Sequence, residues 1–207
     1  MNHIEKECVK EVYEEIAKDF DRTRVFPWKS VREFILETNP TDTIYEAGCG
    51  NGKNMLLKSG YMKGSDFCEK FVKICKEKDL NVELGDVCDI KEEEESFSHS
   101  ICVAVIHHLS TEERRLKALN ELCRIVKKGG EILITVWGYE ANGELFSSSD
   151  ASGDQYVEWK RRGDDKIFKR YYHFFTKEEI TALCEKTGCK VISVKDECKN
   201  WIIRLLK

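Results

Sequence analysis

Seven consecutive residues, Glu46-Ala47-Gly48-Cys49-Gly50-Asn51-Gly52, place an acid two residues before three glycines spaced two apart. The apolar stretch Thr43 to Tyr45 precedes them and Met55, Leu56 and Leu57 follow, a pattern that predicts a strand, a tight loop and the start of a helix. Glycines in such a loop let the backbone turn sharply and let a ligand lie on main-chain N–H groups where a Cβ would stand in the way. A dinucleotide-binding loop would run Gly-x-Gly-x-x-Gly with its acid about 20 residues later. Here the acid comes first, which suits a ligand carrying cationic groups. The α-ammonium and sulfonium of S-adenosylmethionine fit that description, so Glu46, Gly48, Gly50 and Gly52 point to this cofactor, with an ordinary glycine-rich turn as the alternative.

Two more acids fall in register with the loop. Tyr61 to Asp66 and Asn81 to Leu84 predict the second and third strands, the latter followed by Gly85-Asp86. Acids at the C-terminal ends of parallel strands face the crevice in which open α/β sheets bind ligands. Asp66 is therefore expected to accept from ribose hydroxyls, and Asp86, with Val87 beside it, to face the adenine amine. A turn former or helix cap is the plainer role for either acid.

These residues need a scaffold. Apolar positions from Ile4 to Phe20 recur at helical spacing, and a second helix runs through Val31, Phe34 and Ile35. Between the two helices, Arg22, Arg24, Phe26 and Trp28 sit on a proline-containing connection. Ile101 to Ile106 reads as a strand buried on both faces and ends in His107-His108. Ser110-x-x-Glu113 opens the next helix, Ile132 to Trp137 makes a fifth strand, and Thr176-x-x-Glu179 caps a last helix. Val191 to Val194 and Trp201 to Leu206 then pair as a hairpin. This alternation predicts a doubly wound α/β sheet. The pattern fails from Gly138 to Asp165, which reads as a substrate-side loop, and Trp159 to His173 mixes basic and aromatic residues of the kind that neutralise phosphates and stack bases. A solvated basic edge is the alternative.

At 207 residues the chain suits one domain: N-terminal helices over 1–38, an α/β core, and an insertion over 138–169. No apolar run approaches the ~20 residues of a membrane span. The N-terminal stretch is polar, so a cytoplasmic address is expected. The ten cysteines contain no Cys-x-x-Cys pair and read as reduced core residues, with no metal site expected. A net charge of −4 gives no global attraction to nucleic acid, so an RNA substrate would need a local basic patch or a helper subunit.

Taken together, the sequence resembles the class I S-adenosylmethionine-dependent methyltransferases, and more narrowly the eukaryotic tRNA wobble-uridine carboxymethyl methyltransferases. The general likeness rests on Glu46 to Gly52, Asp66 and Asp86. The narrower one rests on Tyr13 through Trp28, Ile106-His107-His108-Leu109-Ser110-Thr111-Glu112-Glu113-Arg114-Arg115, Val136-Trp137 and Arg170-Tyr171-Tyr172-His173. Val25-Phe26 departs from the family, which often has an aromatic and a basic residue there, and Ser98-His99 replaces a common acid. Asn-Pro-Pro-Tyr, a signature of amino-group methyltransferases, is absent, which favours an oxygen or carbon acceptor.

The resemblance implies a Rossmann-like, seven-stranded, mostly parallel sheet with helices on both faces and an antiparallel C-terminal hairpin. It implies methyl transfer to the carboxylate of 5-carboxymethyluridine in tRNA, giving a methyl ester and S-adenosylhomocysteine. A carboxylate with pKa near 4 is already ionised at neutral pH, so the site has to align it rather than deprotonate it. Arg24, His107, His108, Arg170 and His173 are the candidate donors, with Trp137 and Tyr171 shaping the pocket. A small-molecule O- or C-methyltransferase and a non-catalytic cofactor-binding subunit are the alternatives. The family also works with a small zinc-binding activator subunit docked on the third strand's edge. Apolar residues around the second and third strands (Tyr61, Met62, Phe67, Phe71, Val72, Val82, Leu84) accordingly lead us to expect a 1:1 heterodimer.

Overall fold

The structure is a computed structural model that describes residues 2–138, 153–161 and 166–207. Its centre is a seven-stranded sheet in the order β3-β2-β1-β4-β5-β9-β8. The strands are β1 (Ile44–Ala47), β2 (Met62–Asp66), β3 (Val82–Leu84), β4 (His99–Val103), β5 (Glu131–Trp137), β8 (Lys190–Glu197) and β9 (Asn200–Leu206). The first five run parallel, and β9 pairs antiparallel with both β5 and β8. The expected sheet and its terminal hairpin are thus both present.

Strand pleating sends alternate residues to opposite faces, so a sheet buried on both sides needs apolar residues at nearly every position. In β5, Ile132, Ile134 and Val136 join a core with Leu119 and Leu122 of one helix (Glu112–Ile125) and Ile180 and Leu183 of another (Lys177–Glu185). Leu133 faces the other way, into a core with Val31, Phe34 and Ile35 of a helix over Lys29–Glu37 and Val72 and Cys75 of one over Glu69–Glu77. In chain order these helices are α2 (Lys29–Glu37), α3 (Glu69–Glu77), α4 (Glu112–Ile125) and α5 (Lys177–Glu185), behind α1 (Glu11–Thr23). A short helix over His3–Glu5 and π turns over Lys6–Lys10 lead directly into α1. Thr176 caps α5 as expected by accepting from the Glu179 N–H, but α4 is capped by Thr111, accepting from the Arg114 N–H, rather than by Ser110, whose N–H and hydroxyl donate to Glu5 instead.

Several expectations shift. The helix expected after the glycine loop shrinks to a single 3₁₀ turn over Met55–Leu57, because Ser59-Gly60 starts a second turn that leads straight into β2. The fourth strand ends at Val103, and Ile106–His108 forms a 3₁₀ turn that carries both histidines. Part of the stretch read as loop is strand: β6 (Asp154–Lys160) pairs antiparallel with β7 (Ile167–His173). Residues 139–152 and 162–165, including most of the expected loop and Arg162 of the basic run, lie outside the described residues.

The β6–β7 ribbon has an anchor in His173. Its Nδ1 lies 2.6 Å from Asp154 Oδ1 and its Nε2 lies 2.7 Å from Glu179 Oε1, which ties the ribbon to the first turn of α5. The Tyr171 hydroxyl also donates to Asp154. Eight of the ten cysteines are buried, as expected of core residues. Among the described residues no helix is long and apolar enough to cross a membrane.

At the β3 edge the apolar residues divide. Met62, Val72 and Val82 are buried in the chain's own core, Phe71 packs under α1, and Phe67 is partly buried beside it. Tyr61 and Leu84 remain exposed on the edge, at 45% and 53%. Among the described residues β3 pairs with β2 on one side only.

Candidate functional site

A cavity of about 420 Å³ opens at the C-terminal ends of β1, β2 and β4, a size typical of small-ligand sites. Glu46, Gly48, Gly50, Asp66, Arg24, His107, His108, Trp137 and Arg170 all line it, so most of the expected site residues converge. A narrower slot continues from it, sharing Gly48, Phe67, Val105 and His108 and adding Asp86, Val87, Leu109 and Arg114.

The three acids sit in different electrostatic states. Glu46 is 1% exposed. Its Oε1 accepts from Asn54 at 2.6 Å, while Oε2 has no partner among the described residues. Burial pushes its carboxyl up to about 8, with Asn54 and Lys53 acting in the other direction. Asp66 accepts from Cys68 N–H at 2.9 Å and from Gly50 N–H at 2.8 Å, so it fastens the glycine loop to the end of β2. Burial raises it to about 6 against those two bonds. Asp86 is paired: Arg114 donates to Oδ2 at 3.1 Å and Cys88 N–H to Oδ1 at 2.9 Å. Despite burial, these bonds hold its carboxyl below the usual range.

Another wall of the cavity is built from two strand ends. Because β7 alternates, Arg170 and Tyr172 face the cavity, whereas Tyr171 and His173 point to the opposite side. This corrects the expectation for both: Tyr171 bonds Asp154 and Arg115, and His173 bonds Asp154 and Glu179, and neither touches the cavity. The ring that shapes the pocket is Tyr172, stacked 4.4 Å from Trp137 and 5.0 Å from His107.

The adjacent histidines differ in function. The His108 Nδ1–H donates to the Tyr171 carbonyl at 2.8 Å, and the Tyr13 hydroxyl donates to His108 Nε2 at 3.0 Å. Both nitrogens are therefore committed, and burial pushes this ring down to about 3. His108 walls the cavity and fastens α1 to β7. His107 Nδ1 accepts from the Trp137 N–H at 3.2 Å, which leaves the proton of the neutral ring on Nε2. Burial, then His108 and Arg170, hold His107 well below its ordinary value. It is a neutral donor in the cavity wall.

Arg170 is the unusual group. It is 8% exposed, its guanidinium lies 5.2 Å from the Tyr172 ring centroid, and its Nε has no hydrogen-bond partner among the described residues. Among the described residues it makes no ion pair. Arg115, equally buried, is paired by contrast with Asp154 and donates to the Leu109 carbonyl. Arg24 sits at the cavity rim, exposed, with its guanidinium 5.6 Å from the Phe20 ring centroid.

Of the basic run, Arg161 lies within ion-pair range of Asp19 and Glu15, and Lys166 of Glu15. Both also stand over the Phe168 ring. These residues clamp the β6–β7 ribbon to α1 rather than forming an open phosphate track.

Comparison with known proteins shows the family. A methyltransferase-domain family model matches residues 45–134. A Schizosaccharomyces pombe tRNA (carboxymethyluridine(34)-5-O)-methyltransferase is 36% identical over 95% of this chain and 95% of its own length. The chain belongs to that family. A Xenopus tropicalis relative of the same activity, alkbh8, is 30% identical over 99% of this chain, which spans 41% of that longer protein. Among solved structures, a Haloferax volcanii methyltransferase in complex with the Trm112 methyltransferase activator shares the fold at a TM-score of 0.69 and 13% identity, covering 96% of this chain and 97% of its own.

Lys53, Asn54, Tyr172 and the hairpin turn residues Cys198 and Lys199 also line the cavity and were missed in the sequence. Strand alternation was the available signal for Tyr172, since choosing Arg170 selects Tyr172 over Tyr171. Nothing local pointed to the hairpin. Cys198 and Lys199 both adopt positive φ, at 50° and 65°, without the Asn or Gly that usually marks such turns.

The glycines of the loop serve different needs. At Gly52 (φ +74°) a Cβ would lie 2.4 Å from Leu80 Cδ1 and 2.9 Å from Cys75 Sγ, whereas at Gly50 (φ +54°) the nearest atom would be 3.9 Å away. Gly52→Ala is therefore expected to lose about 2–4 kcal/mol in urea unfolding, from left-handed strain plus overpacking. Gly50→Ala should lose only about 1–2 kcal/mol, the strain alone. Equal losses would show that packing beneath the loop does not set the Gly52 requirement.

Proposed function

We propose that the protein transfers a methyl group from S-adenosylmethionine to the carboxylate of 5-carboxymethyluridine at the wobble position of tRNA, in the cytoplasm, leaving a methyl ester and S-adenosylhomocysteine. The observation that carries this reading is Arg170, a buried guanidinium facing the cavity with no carboxylate partner among the described residues. A desolvated, unpaired cation is costly, and a ligand carboxylate supplies the missing charge.

The chain's residues fit the cofactor. The free Oε2 of Glu46 suits an α-ammonium. Asp66 keeps acceptor capacity for ribose hydroxyls beyond its two backbone bonds. Val87, Val105, Leu109 and Phe67 offer apolar walls for a flat base in the slot. Asp86 serves there through its pairing with Arg114, which orients it toward the slot and limits its part in amine recognition. When bound, S-adenosylmethionine supplies an electrophilic methyl group.

No strong base is needed on the acceptor side. Arg170 attracts the ionised carboxylate, and the His107 Nε2–H is a neutral donor to the same group. One full charge rather than two leaves the carboxylate oxygen nucleophilic, and the Tyr172 ring under Arg170 further spreads that charge. Trp137 and Tyr172 exclude water from the reacting face. Esterification removes the negative charge, so the product loses its pairing with Arg170 and is bound less tightly.

Arg170→Ala is expected to lower kcat/KM on carboxymethyluridine-containing tRNA by about 10²-fold or more while leaving calorimetric cofactor affinity near wild type. Arg170→Lys should recover part of the loss. Loss of cofactor binding together with turnover would reassign Arg170 to the scaffold.

A second test concerns Glu46. Its carboxyl is raised from an ordinary 4.5 to about 8, so the folded protein without ligand holds a proton there that the unfolded chain has released by neutral pH. Its contribution to stability is full below pH 4.5 and is lost as pH rises through 8. A cation bound beside it reverses the preference and expels the proton. Calorimetric heats of S-adenosylhomocysteine binding at pH 7 should therefore differ between phosphate and Tris buffers by the heat of nearly one proton, and the difference should vanish in Glu46→Gln. Buffer-independent heats in the wild type would rule out this coupling.

An activator subunit on the β3 edge is part of the reading. What supports it is the unpaired edge with Tyr61 and Leu84 exposed, and the fold shared with a Haloferax volcanii methyltransferase held by the Trm112 activator. The partner expected is a small zinc-binding protein in a 1:1 heterodimer. Co-expression with such a subunit should raise the melting temperature and activity, and Leu84→Asp should abolish both gains. A chain that is fully active alone and gains nothing would remove the partner from the reading.

A further inference from the structure

The connection between α1 and α2 holds an aromatic ring out in solvent at the mouth of the site. Phe26 is 83% exposed and Val25 57% exposed, while Arg24 and Trp28 on either side line the cavity. The segment is fixed at both ends. The Arg24 N–H donates to the Phe20 carbonyl, and the Arg24 carbonyl accepts from Asn51 Nδ2 of the glycine loop at 3.0 Å. Asn51 is held in turn by Asp21, which Lys78 also bridges at 2.6 Å. At the other end the Lys29 and Ser30 N–H groups donate to the two carboxylate oxygens of Glu197, at 3.0 and 3.2 Å. Pro27 fixes its own φ and biases Phe26 toward extended backbone. The ring is exposed on a braced segment.

The surroundings identify what would cover it. Arg24 has no carboxylate partner among the described residues, and its guanidinium lies at the rim. Lys53 and Lys199 line the same opening. A nucleotide that enters the cavity as part of a chain leaves its neighbours outside, each with a phosphate and a base. Cations beside an exposed ring match that pair of groups, because phosphates are neutralised by arginine and lysine and any base can stack on an aromatic face. Glu197 belongs to the β8–β9 hairpin at the sheet edge opposite β3, so a subunit seated on the β3 edge is not what covers Phe26.

We propose that Phe26 is a stacking platform for the base next to the acceptor nucleotide in a single-stranded RNA loop, with Arg24 receiving the intervening phosphate. The inference rests on the RNA reading of the site and adds to it a contact outside the cavity. Phe26 contributes through affinity for the loop, not through the methyl-transfer step.

The test uses the enzyme in its active form, alone or with its activator subunit. Three substrates are compared: an anticodon stem-loop carrying carboxymethyluridine, the same stem-loop made abasic in turn at each position flanking that uridine, and carboxymethyluridine 5′-monophosphate. Phe26→Ala should raise KM for the intact stem-loop about tenfold, the order expected on losing one base–aromatic stack, and Phe26→Trp should restore it. One of the two abasic stem-loops should lose about as much with the wild type and nothing further with Phe26→Ala. Reaction with the mononucleotide should be alike in both proteins. An unchanged KM for the stem-loop in Phe26→Ala overturns the proposal, as does a loss that adds to the abasic loss. If Phe26→Ala keeps its RNA affinity and instead sediments as a monomer where the wild type sediments as a dimer, the ring is an interface between copies. A wild type that is inert on the mononucleotide and on every stem-loop removes the assigned function itself, a failure separate from that of the platform.

Discussion

The buried Asp66 carboxylate is the interaction on which the site depends. It accepts one N–H from the loop after β1 and one from the start of α3, so a single side chain fixes the distance between two strand ends. Desolvation works against it, raising it to about 6, and the two backbone donors keep it ionised at neutral pH. The positive-φ turns at Gly48, Gly50 and Gly52 are set by that anchor together with the packing of Val105 and Leu80 beneath them. The loop's outer surface is then free for ligand. Glu14 of α1 adds a second tie from the same helix that walls the cavity, by accepting from Glu69 N–H at the first turn of α3.

Elsewhere in the cavity wall the chemistry changes, from buried acids to histidine and arginine donors. Two histidines adjacent in sequence are kept neutral by burial, yet only His107 retains a donor for the cavity, because His108 has both nitrogens committed to Tyr13 and Tyr171. The strand carrying Arg170 is located by residues that never reach the ligand. Its reverse face offers Tyr171 and His173 to Asp154, Arg115 and Glu179. A group on one face of β7 can be aimed into the cavity because the other face is tied down.

Much of this was legible in the sequence, for reasons tied to particular residues. Continuous apolar runs at Ile101–Ile106 and Ile132–Trp137 mark strands buried on both faces, and capping signals mark the helix starts, at Thr176 itself and one residue early at Ser110, so the strands and helices follow. The glycine loop and Asp66 announce themselves because their chemistry is local. The ribbon partner β6 did not, since Asp154–Lys160 mixes charged and aromatic residues and becomes a strand only by pairing with β7. The expectation for Tyr171 and His173 took the Arg-Tyr-Tyr-His run as a unit, where an extended strand divides it between two faces. Charge pairing was invisible for the same reason: nothing in the run from Trp159 to Arg170 says that Arg161 lies against Asp19, more than 140 positions earlier.

The distribution of satisfied and unsatisfied charge separates structure from recognition in this molecule. Glu46, Asp66 and Asp86 stand at or just beyond the ends of neighbouring strands. Asp86 is compensated by Arg114, which Glu5 also holds at 2.7 Å, so this carboxylate joins the N-terminal segment to α4 at the end of the slot. Asp66 is bound by two backbone donors with acceptor capacity left over. Glu46 alone keeps a buried oxygen without a partner, and across the cavity Arg170 keeps a buried nitrogen without one. Burial holds a proton on Glu46 in the empty site, whereas the Arg170 guanidinium keeps its charge with no carboxylate partner among the described residues. The folded chain thus carries the cost of two uncompensated groups. In the proposed reaction a cationic ligand end at Glu46 and an anionic one at Arg170 would relieve both, and two different molecules would share one cavity.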